Sequence, residues 1–420
     1  MSHPAHVAAA LAAADASLAA SDPFGALTHL GAVLAHPEQP EDAALFVAAL
    51  GTLARAVGGV FPDLVPLLER VAERPDDVDA LYHAGFGLVE NDLPGFAATL
   101  LGRAAAIAPA ELRVLTERVT ALELLGAYRD AATAAATRHP ALADSFLARY
   151  LHAFEAGLAG DLAPARAARD WLEAHAADEA ERFMAQRISG WTDRADALCG
   201  AMESPPEGDL ARWHALLFGG VVLAVAPEGA PGSAGAGRFG LREDRAEDVR
   251  RAVDAVGAVL AGLERAPERV YRLDERRSRI LAAVAGASWG VPVAVWSAEA
   301  RAPGVVVAWD LRKLPSEERD ALRQSVPGEV LWDHACAWTV EARLTADLTS
   351  AVSQGTLPAW DPDEEVPEAE VVRALLAVAA PEPDAEGVRR ATALARALGP
   401  SGGPLRAHGE RPKRWPWGMR

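Results

Sequence analysis

Residues 78–111 read VDALYHAGFGLVENDLPGFAATLLGRAAAIAPAE, and this stretch decides how the first half of the chain folds. Its large apolar and small residues recur at the spacing of two helix faces. The first face holds Leu81, Ala84, Gly85 and Leu88, and the second holds Ala97, Leu101 and Ala104. Small side chains let two antiparallel helices approach closely, while the leucines fill the space between them. We therefore predict a helical hairpin, which needs similar neighbours to cover its apolar face.

The pattern returns at a constant interval. Ala131 follows Ala97 by 34 residues, and Ala165 follows Ala131 by the same number. A unit of this length, with this order of large and small residues, resembles a tetratricopeptide repeat. The resemblance implies an N-terminal α-solenoid over residues 1–176. An unrelated alanine-rich helical bundle is the alternative.

The resemblance also implies a binding surface. Tetratricopeptide repeats line a concave groove with the first helix of each pair, and that groove usually holds a peptide or a partner protein. The implied groove residues here are Tyr82, His83, Glu90, Glu117, Arg118, His152 and Glu155. For any one of them, a solvated helix face is the alternative. Members of the family that grip acidic tails use lysines, and the first lysine here is Lys313, so we do not expect that subtype.

Composition and charge exclude several classes of protein. The chain has 420 residues and a formal net charge of −18, which opposes a general affinity for nucleic acid or anionic membranes. Its two cysteines cannot form a disulfide framework, so we expect a reducing cytoplasm. The apolar run at 215–226 is shorter than the roughly 20 residues that span a bilayer. No basic segment of a signal peptide precedes the alanine-rich start, so we expect neither a signal peptide nor membrane association.

The composition changes after residue 176. We predict a helical connector and linker over 177–208, and an α/β domain over 209–357. Short β-branched runs there alternate with helical patterns, which favours a three-layer domain with a mainly parallel sheet. The runs lie at 221–225, 269–273, 291–296, 305–309 and 329–332. An acidic linker with closing helices over 358–400 and a disordered basic, aromatic tail over 401–420 complete the predicted organisation.

A glycine string at 235–240 matches the G-x-G-x-x-G pattern of dinucleotide-binding folds. The pattern requires a strand directly before the glycines and a helix directly after them. Here a loop separates the string from the run that ends at Val225, and the helical pattern begins only near Asp244. We therefore interpret the string as a loop between strands, with a nucleotide site as the alternative.

The carboxyl edge of the predicted sheet is a better place for a ligand, since α/β proteins bind ligands there. Charged and polar residues follow the predicted strands, and they define a candidate cleft of Asp274, Arg276, Arg277, Ser278, Asp310 and His334. Arg277 and Ser278 stand at a predicted helix start, which suits an anion. Helix caps and surface ion pairs are the alternative reading of all six.

The run from the strand at 269–273 to Asp310 resembles a phosphoribosyltransferase core. That family follows its second strand with two adjacent acids and a loop of small residues that cradles pyrophosphate. This chain continues Asp310-Leu-Arg-Lys-Leu, without the second acid or the small residues. We therefore expect no active transferase, and an inactive relative of that fold stays open.

His334 and Cys336 do not predict a thiol dyad, because residues two apart on a strand stand about 6–7 Å apart. We expect no metal site and no cofactor. The leading hypothesis is a cytoplasmic scaffold or adaptor that binds a peptide or partner protein. An enzyme or a small-anion or nucleotide sensor with its site at the sheet edge is the alternative. The sequence leaves the oligomeric state open.

Overall fold

The structure is a computed structural model. It describes residues 3–136, 139–199, 205, 209–225, 240–337, 344–358, 360, 366–379, 382, 384–399 and 409–411. Glycines 235–239 of the string, nearly all of the linker at 203–208 and most of the tail lie outside the described residues. Contacts within the chain divide it into two compact units, residues 1–188 and residues 189–420.

The N-terminal unit is built from helices. Their bounds are α1 Pro4–Ala19, α2 Pro23–Leu34, α3 Ala43–Gly58, α4 Val65–Glu73, α5 Val78–Glu90, α6 Pro94–Ile107, α7 Leu112–Leu124, α8 Tyr128–Ala135, α9 Phe146–Leu158 and α10 Ala163–His175. Helix α11, Glu179–Cys199, begins in this unit. Each of these helices up to α10 packs against the next in chain order, and α7 also contacts both α5 and α9.

The helix starts follow the sequence interval. Helices α5, α7 and α9 begin at Val78, Leu112 and Phe146, each 34 residues after the one before. The side chains of Asp77 and Ser145 accept hydrogen bonds from backbone amides at two of these starts, which satisfies groups that the helix leaves unpaired. The repeated spacing of caps and apolar faces therefore sets where these helices begin.

Close packing of α5 on α6 depends on one glycine. A Cβ added to Gly85 would lie 2.6 Å from Cγ of Leu101, so only a hydrogen fits there. Gly85 and Leu101 are both buried, as the predicted hairpin requires. Ala97, Ala131 and Ala165 are also fully buried, each near the start of its helix.

The C-terminal unit is an α/β structure. Its helices are α12 Leu210–Phe218, α13 Ala246–Gly262, α14 Arg276–Trp289, α15 Ser316–Arg323, α16 Glu368–Ala377 and α17 Ala385–Leu398. Its strands are β1 Val221–Val225, β2 Leu241–Asp244, β3 Val270–Arg272, β4 Val293–Val295, β5 Gly304–Ala308, β6 Gln324–Ser325, β7 Glu329–Ala337, β8 Leu348–Ser353, β9 Gly355–Pro358 and β10 Gly409–Glu410.

Six strands form the main sheet in the order β1-β8-β7-β5-β3-β4, and every neighbouring pair is parallel. The chain winds from β3 outward to β4 and from β5 the other way to β7, so the winding reverses between β3 and β5. Two small sheets pair β2 with β9 and β10 with β6. The prediction of an α part and an α/β part with a mainly parallel sheet is confirmed.

The segment 409–411 lies in the tail that the sequence predicts to be disordered, yet here it forms a strand and buries an arginine. The side chain of Arg411 is enclosed at the amino ends of β7 and β8, where its Nη2 lies 2.9 Å from Asp347 and 3.3 Å from Glu329. Burial alone would lower the pKa of Arg411, but the two carboxylates raise it. A buried charge of this kind needs both partners, which explains why the segment is held.

Candidate functional site

An aromatic pair marks the surface of α5. Tyr82 and Phe86 stand one helical turn apart and stack with ring centroids 6.4 Å apart. His83 packs edge-on against Tyr82 at 5.3 Å. Phe86 nevertheless keeps 41% of its surface exposed, which is a large share for a phenylalanine. The pair is an apolar surface held in a fixed geometry.

Helix α7 contacts this surface through Arg113. The guanidinium of Arg113 lies over the Tyr82 ring, 4.7 Å from its centroid. Arg113 also donates hydrogen bonds to Asp79 on α5 and to Glu111, and these bonds raise its pKa. Cation–π contact and ion pairing together fix one face of the tyrosine.

Two carboxylates stand on the same two helices, since Glu90 follows Phe86 by four residues on α5 and Glu117 follows Arg113 by four residues on α7. Glu90 ends α5 and is exposed, and Glu117 on α7 is half-buried. Burial, and then the negative charge of Glu90, raise the pKa of Glu117. A cation placed here would relieve the repulsion between the two groups.

The other predicted groove residues have different surroundings. Arg118 packs against α6, with its Nε 3.7 Å from where a Cβ of Gly102 would stand, and burial lowers its pKa. His152, whose pKa burial also lowers, lines a pocket of about 320 Å³ together with Arg149 and Pro164. Four of the predicted groove residues therefore lie on the neighbouring helices α5 and α7, namely Tyr82, His83, Glu90 and Glu117. Arg118 and His152 have other surroundings.

Glu155, also predicted to line the groove, is fully buried. Neither oxygen of its carboxylate has a hydrogen-bond partner in the described part of the chain. Burial, with a smaller effect of the charge on Glu123, raises the pKa of Glu155 to about 9. One and two repeat lengths earlier, the corresponding residues are Ala121 and Gly87, so an acid occupies a position that otherwise holds a small side chain. Glu155 is therefore a neutral core residue at pH 7, inaccessible to a partner.

Sequence reasoning missed Phe86, Asp79 and Arg113 at this surface. The signal for Phe86 was its spacing of four residues from Tyr82, which places both rings on one helix face. Asp79 and Arg113 are 34 residues apart, so they occupy equivalent positions in successive repeats and meet across the interface.

In the C-terminal unit, the residues that follow β3 bond within the chain. Asp274 is exposed and pairs with Arg279, and Arg276 donates to the carbonyl oxygen of Val366 at 2.6 Å. Arg277, half-buried, is the second residue of α14.

Ser278 bridges the point where the winding of the sheet reverses. Its hydroxyl donates to Glu275, at 2.8 Å, and accepts from the backbone N–H of Trp309, at 2.9 Å. Trp309 directly follows β5 and Ser278 is the third residue of α14, so the hydrogen bond joins the end of β5 to the start of α14. Both residues are buried.

Asp310 and His334 are also engaged. Asp310 accepts two hydrogen bonds from the guanidinium of Arg312, its partner in the 3₁₀ turn Leu311–Lys313. His334 is not at a strand end, because β7 continues to Ala337, and its Nε2 lies 2.7 Å from Asp244. Both members of this pair are fully buried.

A pocket opens elsewhere along the carboxyl edge of the sheet. It has a volume of about 390 Å³ and is bounded by β1, β2, β8, α13 and the start of α17. Polar groups of Arg242, Arg251, Ser350 and Asp384 lie among apolar walls. This mixture is typical of sites for small molecules. Gly240, the last glycine of the string, belongs to its lining.

The residues that the structure describes include neither a cluster for a metal ion nor a helix that could cross a membrane. Among them, no group of three or more histidine, cysteine or acidic side chains could hold a metal ion. None of the described helices combines the length and apolar character needed to cross a bilayer. Cys199 and Cys336 are both buried and in the thiol form.

Comparison with known proteins assigns no family to this chain. No family model matches it, and no curated protein does. A solved structure described as MamA MSR-1 C2 is 16% identical, covers 44% of this chain and 94% of its own, and has a TM-score of 0.22. That similarity is too low to assign a shared fold.

Proposed function

We propose that the N-terminal unit is a tetratricopeptide-like solenoid that binds a peptide or a partner protein, and that the chain is a scaffold or adaptor. The 34-residue interval of the helix starts and the contacts of α7 with α5 and α9 support stacked repeats. The exposed, stacked pair of Tyr82 and Phe86 carries the proposal of binding. Buried, rigid aromatic side chains dominate the energetics of protein interfaces.

Quantitative co-purification with the tagged full chain from the cells that produce it tests this function. The variant Phe86→Ala should reduce recovery of the partner strongly, since the loss of such a residue costs about 2 kcal/mol or more. Phe24→Ala is the matched control, because Phe24 on α2 is 67% exposed and lies outside the aromatic pair. Equal recovery with both variants, or no specific partner at all, would contradict the proposal.

A cytoplasmic location is part of the same proposal. Both cysteines are buried and in the thiol form, which fits a reducing compartment. Fractionation of the producing cells tests it, and recovery of the chain outside the cytoplasm would contradict it.

The pocket of about 390 Å³ supports a second candidate, a small-molecule or anion site in the C-terminal unit. A thermal-shift screen with nucleotides and phosphosugars tests this alternative. Stabilisation that is lost in Ala255→Leu, which fills the pocket, places the ligand there. Stabilisation that is lost in Arg277→Ala instead places it at the end of β3, and no saturable shift argues against both.

A further inference from the structure

The aromatic pair on α5 has an internal counterpart. Tyr150 and Phe154 on α9 stand two repeat lengths after Tyr82 and Phe86, and they stack in the same way, with centroids 5.5 Å apart and planes at 22°. The planes of Tyr82 and Phe86 meet at 26°. The repeat thus presents the same stacked pair twice, and we call Tyr82–Phe86 the first aromatic platform and Tyr150–Phe154 the second.

The second platform is covered by α11. The guanidinium of Arg187 lies 5.2 Å from the centroid of Phe154 and donates a hydrogen bond to the hydroxyl of Tyr150. Phe183, one turn earlier on α11, receives the same guanidinium at 5.0 Å. Only 4% of Phe154 remains exposed. The chain therefore shows what fits this platform: a helix that places an arginine over the rings.

The first platform has the same rings without such a cover, since 41% of Phe86 is exposed. Its surroundings also favour a cation. Glu117 has a raised pKa through burial and the charge of Glu90, so an incoming positive charge would stabilise both carboxylates. An arginine suits the platform better than a lysine, because a planar guanidinium stacks on aromatic faces and binds carboxylates in parallel.

We propose that the Tyr82–Phe86 platform binds an arginine-bearing amphipathic helix of a partner protein. This inference rests on the proposed function, because it names the partner of the same surface. The docked guanidinium lies over Phe86 and beside Glu90 and Glu117, as that of Arg187 lies over Phe154.

A fluorescent synthetic peptide with the sequence of residues 177–190, ADEAERFMAQRISG, is the probe. Anisotropy measures its dissociation constant with the full-length chain. We expect saturable binding that weakens at least tenfold with Phe86→Ala in the chain or with Arg187→Ala in the peptide. Arg187→Lys in the peptide should weaken binding less, and Phe24→Ala in the chain should leave it unchanged. Glu117→Gln should weaken binding, and so should added salt.

Three outcomes would overturn the inference. The first is that the peptide fails to bind. The second is that it binds equally well to Phe86→Ala, which would mean that it displaces α11 from the Tyr150–Phe154 platform. A mass in light scattering that rises with concentration, and no longer does so in Phe86→Ala, makes a second copy of this chain the occupant. Co-purification tests the proposed function separately. If Phe86→Ala abolishes recovery of a partner while the peptide does not bind, the surface still binds a partner and only the inference of an arginine-bearing helix is wrong.

Discussion

Replacing Glu155 by glutamine should stabilise the N-terminal unit at neutral pH. The glutamine amide has nearly the shape of the protonated acid, so the packing around α9 is kept. The acid is fully buried without a hydrogen-bond partner in the described part of the chain, and its pKa is raised from 4.5 to about 9. The unfolded chain releases this proton above about pH 4.5, while the folded chain holds it until about pH 9.

The sign of the effect follows from this difference. Below pH 4.5 both states are protonated and the acid carries no penalty. Between pH 4.5 and about 9 the folded state binds more protons, so the free energy of unfolding falls by about 1.4 kcal/mol per pH unit. At pH 7 the accumulated penalty is about 3 kcal/mol, which Glu155→Gln removes.

Hydrogen exchange read out by mass spectrometry gives a local measurement. Peptides that cover α9 report the N-terminal unit, and peptides that cover β5 serve as an internal reference in the other unit. The ratio of protection between the glutamine variant and the wild type should rise from pH 5 to pH 9. Glu69→Gln, at an exposed position on α4, is the matched control and should show no such trend.

One result would refute this reasoning. If the variant and the wild type differ by the same amount at every pH between 5 and 9, the acid does not bind its proton more tightly in the folded state. The burial of Glu155 would then have to be compensated by a charge or a solvent path.

Four further substitutions test the packing and the buried charges. Arg411→Ala should destabilise the C-terminal unit by about 3–5 kcal/mol, because the buried carboxylate of Asp347 loses its counter-charge while Glu329 keeps Arg301, and urea denaturation followed by tryptophan fluorescence measures it. Gly85→Val should cost about 1–3 kcal/mol by contact with Leu101, whereas Gly31→Ala, with no atom within 4 Å, should be neutral or stabilising in far-ultraviolet circular dichroism melts. Asp244→Asn should destabilise by about 1–3 kcal/mol at pH 7. Burial alone would raise the pKa of Asp244, but its histidine and arginine partners lower it. The ionised carboxylate therefore stabilises the fold above pH 3.8, and this stabilisation fades as the pH falls below that value. Acid titrations of the wild type and the variant should show their difference in stability shrink in the same range.

Small side chains at equal intervals were enough to predict the helical half. Gly85 and the alanines at 97, 131 and 165 are buried because neighbouring helices approach there, and steric exclusion of larger groups leaves a direct trace in sequence. The strand at 221–225 was predicted with the bounds that the structure has. This strand is a local pattern, in which period and flanking residues carry the information.

Strand β8 was not predicted, although it lies inside the sheet. Its Thr349, Ser350 and Ser353 are buried polar residues, and they hide the apolar run that marks a central strand. Ser350 accepts a hydrogen bond from the indole of Trp332 on β7, and Ser353 bonds Thr356. The partner of Ser350 lies 18 residues earlier on a neighbouring strand, where no local window of sequence shows it.

The candidate surface was predicted in part for the same reason. Tyr82, His83, Glu90 and Glu117 belong to helix faces that periodicity can locate. Whether a residue on such a face meets solvent or a neighbouring repeat depends on contacts between repeats. Glu155 lies on a face like that of the others, yet it is enclosed among Glu123, Tyr128 and Tyr150, whose side chains interact with it electrostatically.

The ion cluster around Arg411 has a consequence for synthesis. A ribosome adds Arg411 after it has completed every strand of the main sheet, so the nascent sheet carries Asp347 before its counter-ion exists, whereas Glu329 already pairs with Arg301. The C-terminal unit therefore reaches its full stability late in translation. A chain that stops before Arg411 should be a preferred substrate for cellular proteases, even though it contains all six strands of the sheet.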